Sequence, residues 1–92
     1  MTYANELEAL RKEIDRIDEQ IIRLLSERIK VSIEVGIIKR KYNKPILDSN
    51  RETEVYKRIR ERAEQLNIDP EESESIFKGI VKMCRSAQGK EF

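Results

Sequence analysis

A chain of 92 residues has room for one small domain and not two. Charged side chains make up 40% of it but cancel to a net charge of +1, so no global field draws in nucleic acid or an anionic membrane. There is no histidine and a single cysteine, Cys84, which excludes imidazole acid–base chemistry, catalytic triads, the usual zinc sites and any internal disulfide.

The N-terminal stretch MTYANELEAL lacks the basic-then-apolar order of a signal peptide, and no run of about 18 apolar residues exists to span a membrane. A lone thiol suits a reducing compartment, so the cytoplasm is the expected location. No segment alternates with period two, and there is no internal repeat. Three segments carry a helical period, which predicts an all-α chain with one long helix and two shorter ones.

The first helix is predicted from about Asn5, a good cap, to about Tyr42. Leu7, Leu10, Ile14, Ile17, Ile21 and Leu24 alternate by three and four, and Val31, Val35, Ile38 and Tyr42 continue the pattern. A second set, Ile22, Leu25, Ile29, Ile33 and Ile37, widens the stripe. Such a helix is roughly 55 Å long. A compact chain of this size has a radius of gyration of only about 12 Å and cannot cover it. The stripe is therefore expected to meet a second copy of the chain. The basic run Lys39, Arg40, Lys41 and Lys44 suits a helix C-terminus, and aromatic residues for base stacking are few, so no nucleic-acid partner is expected.

The loop YNKPILDSN follows, with Pro45 keeping residue 44 out of the helical region. Asp48 or Ser49 caps the second helix, and Ser49 with Glu52 reads as a capping box. Its apolar positions are Val55, Tyr56, Ile59, Ala63 and Leu66. Asp69 as cap and Pro70 at the first helical position start the third helix. Its stripe is Ile76, Phe77, Ile80, Val81, Cys84 and Gln88. The final GKEF reads as a frayed tail.

Two residues do not belong to these stripes. Arg28 joins the two apolar runs of the first helix, and Gln88 puts an amide where the third stripe calls for an apolar side chain. Arg28, Ser32, Val35 and Lys39 are spaced four, three and four, so they share a face. Arg28 and Lys39 lie roughly 16 Å apart along the axis, able to grip a small molecule from two ends. Arg11 is about 26 Å from Arg28 along that axis and rotated by roughly 100°, so it serves a site only on the partner chain. Each residue also has a plain structural reading. Arg28 fits a register device in a helical seam, Arg11 a surface residue paired with Glu8 or Asp15, Lys39 a helix-end cation, Asp48 and Glu52 caps, and Cys84 a core residue. Together they describe a cavity whose buried cations call for an anionic ligand, such as a dicarboxylate that also bears a hydroxyl. No nucleophile–base pair is present, so any chemistry rests on binding, orientation and fixed charge.

The stretches ALRKEIDRID at 9–18, LLSERIKVSIEVGIIK at 24–39, KPILDSNRE at 44–52 and IFKGIVKMCRSAQ at 76–88 resemble the all-helical class of chorismate mutase over nearly the whole length, residues 1–92. The resemblance implies an intertwined homodimer of three-helix protomers that rearranges chorismate to prephenate with no cofactor and no metal. By this resemblance Arg28 and the partner's Arg11 hold the two carboxylates, and Lys39 and Gln88 flank the ether oxygen. Glu52 and the start of the second helix near Asp48 take the ring hydroxyl, with Arg51 in support. Position 84 departs from the family, where a small polar residue is expected near a substrate carboxylate. Two other readings stand beside this one. One is an isochorismate pyruvate lyase on the same frame. The other is a non-catalytic helical dimerisation or regulatory module, which explains the heptads but not Gln88 or Glu52.

Overall fold

The computed structural model of the chain describes residues 2–89. These form three α-helices and, among the described residues, no strand: α1 Tyr3–Lys41, α2 Ser49–Gln65 and α3 Pro70–Gln88. Of the expected C-terminal tail, residues 90–92 lie outside the described part. No described helix is long and apolar enough to cross a membrane.

α1 begins one turn before the cap expected from the sequence. Thr2, with extended backbone, is the cap, and its Oγ1 accepts from the Asn5 N–H at 3.1 Å. Nothing in Tyr3 or Ala4 opposes the helix, so Asn5 lies inside the first turn. The helix ends in a Schellman motif. Asn43 sits in the left-handed region at φ 57°, the Lys44 N–H reaches back to the Lys39 carbonyl at 2.7 Å, and the Asn43 N–H bonds to Arg40 O at 3.1 Å. α2 ends the same way, with Asn67 at φ 59° and the Ile68 N–H on Ala63 O at 2.9 Å.

Asp48 caps α2, accepting from the Arg51 N–H at 3.0 Å. The Ser49–Glu52 capping box does not form. Ser49 is already the first helical residue, and the Glu52 carboxylate turns away to Arg85. Asp69 and Pro70 start α3 as the sequence predicts, with the Glu72 N–H on Asp69 Oδ1 at 3.0 Å.

α3 packs against both of the other helices, whereas α1 and α2 do not pack on each other. The buried side of α1 is short, Ser32 and Gly36 only. Gly36 sets the distance between α1 and α3, because a Cβ built on it falls 2.7 Å from the Gln88 carbonyl oxygen. Val55 and Ala63 of α2 and Val81, Cys84 and Ala87 of α3 are buried, and among the described residues no large side chain is fully buried. Ile76 and Leu66, assigned to the inward stripes by spacing, are 65% and 54% exposed.

The N-terminal half of α1 runs out of this cluster. The chain is 62 Å in its longest dimension and its radius of gyration is 17.4 Å. Leu10, Ile14, Ile17, Ile21 and Leu24 are all exposed as one apolar line, which resumes beyond Arg28 at Val31 and Ile38. The line is rotated by one residue, about 100°, from the Ser32–Gly36 line that faces α3.

Candidate active site

The gap between α1 and α2, closed at the back by α3, is a cavity of about 370 Å³. Each helix presents one face to it. From α1 come Arg28, Val31, Ser32, Val35 and Lys39; from α2 and its cap, Asp48, Arg51, Glu52, Val55 and Arg58; from α3, Val81, Cys84, Arg85 and Gln88. The three- and four-residue spacings within each set are what one face of a helix requires. Apolar Val31, Val35, Val55 and Val81 form walls between the polar groups.

Lys39 and Gln88 are locked together at one end of the cavity. The Lys39 ammonium donates to Gln88 Oε1 at 2.8 Å and to the Ile46 carbonyl at 2.7 Å. One of its three N–H donors is left for a ligand. With Oε1 occupied, the Gln88 amide nitrogen is the group free to donate. The Gln88 backbone carbonyl, at the last residue of α3, accepts from Arg40 Nη1 at 2.6 Å. Arg40 thus caps the end of α3, and Gly36 lets that end approach α1. The Schellman turn after α1 brings Ile46 back within reach of Lys39.

On the opposite wall, Glu52 accepts from Arg85 Nη1 across the α2–α3 interface. Arg51, at the edge of the cavity, makes only a loose 3.8 Å pair with Glu54. Cys84 is 2% exposed and forms part of the cavity wall. Five cationic side chains line the cavity, Arg28, Lys39, Arg51, Arg58 and Arg85, against two carboxylates. The Asp48 carboxylate is committed to its helix cap. The surplus of positive charge, in a space the size of a small molecule, suits a dianion. Among the described residues no group of three or more potential metal ligands occurs.

Of the eight residues singled out from the sequence, seven line this one cavity: Arg28, Lys39, Asp48, Arg51, Glu52, Cys84 and Gln88. Arg11 does not; it is exposed on the projecting part of α1 and pairs with neither Glu8 nor Asp15. Sequence reasoning missed Arg58 and Arg85. Their signal was spacing: Arg58 lies two turns beyond Arg51, and Arg85 lies three residues before Gln88.

A family model described as chorismate mutase type II matches residues 10–89. The chain belongs to the chorismate mutase type II family. A chorismate mutase of Methanocaldococcus jannaschii is 34% identical over 83 residues, covering 90% of this chain and 84% of that protein. A bifunctional chorismate mutase/prephenate dehydratase of Aquifex aeolicus is 42% identical over 88 residues, 92% of this chain. The chain spans 24% of that longer relative. A solved structure of a conserved hypothetical protein from Pyrococcus furiosus superposes with a TM-score of 0.70 at 37% identity, covering 90% of this chain and 95% of that one. Chorismate mutases are isomerases, and the part of this chorismate mutase domain that the family model matches contains every residue singled out above.

Proposed function

We propose that this cavity binds chorismate and rearranges it to prephenate, within a homodimer in which the partner's Arg11 completes each site. The observation that carries this reading is the convergence of Arg28, Lys39, Glu52 and Gln88 from three helices on one small, cation-rich cavity. The reaction is intramolecular: one carbon–oxygen bond breaks, one carbon–carbon bond forms, and no proton or electron leaves the substrate. It needs no nucleophile, base or cofactor, in keeping with the residue types present.

Arg28 and the partner's Arg11 hold the two carboxylates, folding the flexible substrate into the conformer in which the reacting carbons meet. That removes much of the entropic barrier. Negative charge grows on the ether oxygen as its bond to carbon breaks. The free N–H of Lys39 and the Gln88 amide both aim at that charge. Fixed donors of this kind contribute roughly 3–4 kcal/mol each to the transition state. Glu52 accepts from the ring hydroxyl beside the Asp48 cap, with Arg51 in support, and Cys84 packs against a substrate carboxylate as a weak donor. The reading places the enzyme in the cytoplasm, where its thiol stays reduced.

The exposed line on α1 supports the dimer. Burying one large aliphatic side chain is worth about 1.5–3 kcal/mol, and the line has six of them outside the cavity, Leu10, Ile14, Ile17, Ile21, Leu24 and Ile38. The test is to mix the purified protein with chorismate, and separately with isochorismate, assaying prephenate and released pyruvate. Rapid formation of prephenate from chorismate is expected. Pyruvate released from isochorismate, without prephenate from chorismate, assigns the lyase activity instead. No turnover of either by a folded dimer leaves a binding module.

A further inference from the structure

We propose that Arg85 is a positioning residue that fixes Glu52 to receive the ring hydroxyl of the substrate, an inference that rests on the mutase reading above. Glu52 sits on α2 and Arg85 on α3, and among the described residues their ion pair is the one salt bridge between side chains lining the cavity. Their side chains are 22% and 36% exposed, so the pair is partly shielded from water. The neighbouring cation on α2, Arg51, leans away towards Glu54 with both side chains more than half exposed. Among the described residues no cation other than Arg85 lies within 4.0 Å of the Glu52 carboxylate.

The geometry leaves the carboxylate half used. Arg85 Nη1 donates to Glu52 Oε2, while Oε1 accepts from no protein donor among the described residues. A carboxylate carries about four acceptor positions, so Oε1 stays able to take a hydroxyl hydrogen. A glutamate has three side-chain torsions and loses entropy whenever a ligand must order it. Arg85 orders it in advance. The pairing also divides the cations between tasks. The charge of Arg85 is matched by Glu52, which leaves Arg28 for a carboxylate and Lys39 for the ether oxygen.

This assignment makes the hydroxyl, and not the carboxylates, the feature that Arg85 senses. The experiment compares chorismate with an analogue lacking the ring hydroxyl, in the parent and in Arg85→Met, Arg85→Lys, Glu52→Gln and the Arg85→Met/Glu52→Gln pair. Circular dichroism melts of each variant report folding. For chorismate, Arg85→Met is expected to lower kcat/KM about tenfold, mainly through KM, as loss of a charged hydrogen bond made equally in ground and transition states does. For the deoxy analogue it changes kcat/KM less than about twofold, because there is no hydroxyl to receive. Arg85→Lys regains part of the loss, and adding Arg85→Met to Glu52→Gln causes little further loss. Equal losses on both substrates, no loss on either, or losses that multiply in the double variant overturn the role of Arg85 while leaving a mutase that turns over chorismate. A parent protein that does not turn over chorismate overturns the mutase reading, and this inference with it.

Discussion

Lys39 shows how much one side chain carries here. Its ammonium ties the loop at Ile46 to α3 at Gln88 and keeps one donor for the ligand. Lys39→Ala is expected to cut kcat by about 10²–10³ in a steady-state assay with chorismate. It also leaves the Ile46 carbonyl and Gln88 Oε1 without their donor, so a modest fall in melting temperature accompanies the loss. Gln88 adds a prediction about pH. The sequence has no histidine and an amide does not titrate, so kcat/KM for the parent is expected to stay flat between about pH 6 and 8. A carboxyl group at 88 donates a hydrogen bond only when protonated, and when ionised it repels the developing oxyanion. Gln88→Glu should therefore be most active in acid and lose activity as pH rises, and a flat profile for this variant would show that position 88 does not donate to the ether oxygen. Both residues were legible in the sequence because each breaks an expectation, an amide in an apolar stripe and a cation on a face with Arg28. Arg58 and Arg85 break none. In a chain that is 40% charged, an arginine on a helical face reads as part of a solvated surface until α2 and α3 are placed side by side.

At the scale of the helices, two glycines predict opposite outcomes. Gly36 lies where α1 and α3 nearly touch, and the atoms that a Cβ would meet are the Gln88 backbone oxygen at 2.7 Å and its Cα at 2.9 Å. Backbone cannot swing aside, so Gly36→Ala forces α3 away. We expect a loss of about 1–3 kcal/mol in stability, despite the better helix propensity of alanine, and a drop in kcat as Gln88 moves off the cavity. Gly79 on α3 has nothing within 4 Å of its would-be Cβ. Gly79→Ala should raise stability by about 0.5–1 kcal/mol and leave turnover unchanged. Denaturant melts of the two variants check both. The number, order and approximate ends of the helices were readable from periodicity and from Asp69-Pro70. The finer choices were not. Thr2 and Asn5 are both good caps and only the backbone decides between them, and Ser49 lost to Asp48 by one residue. The role of Gly36 was invisible because a close approach between helices belongs to neither helix alone.

The whole molecule is an elongated protomer with a thin core and a long apolar line in water. In the proposed dimer the partner covers that line and lends Arg11, which leads to a mixing experiment. Arg11→Ala and Lys39→Ala homodimers each lack one group in both sites. A mixed dimer has one site with both defects and one with neither. Unfolding and refolding equal amounts together should give about half mixed dimers and restore about a quarter of parental activity. No recovery would mean that Arg11 does not act across the interface. The expectation of a partner came from length, because no 92-residue globule covers a helix of 39 residues.

In the proposed dimer, the projecting half of α1 would couple assembly to substrate. If each pocket is complete only when a second chain supplies Arg11, chorismate binds the pair and not the lone protomer, so ligand and subunit association reinforce each other by mass action. With two equivalent sites and ligand at a hundred times its dissociation constant, the concentration at which dimers come apart falls about ten-thousand-fold. The enzyme would then be most persistent as an assembly where its substrate is abundant and would come apart where substrate runs out. In that dimer a helix too long for its own globule would turn a cell's supply of a small dianion into a control on quaternary structure.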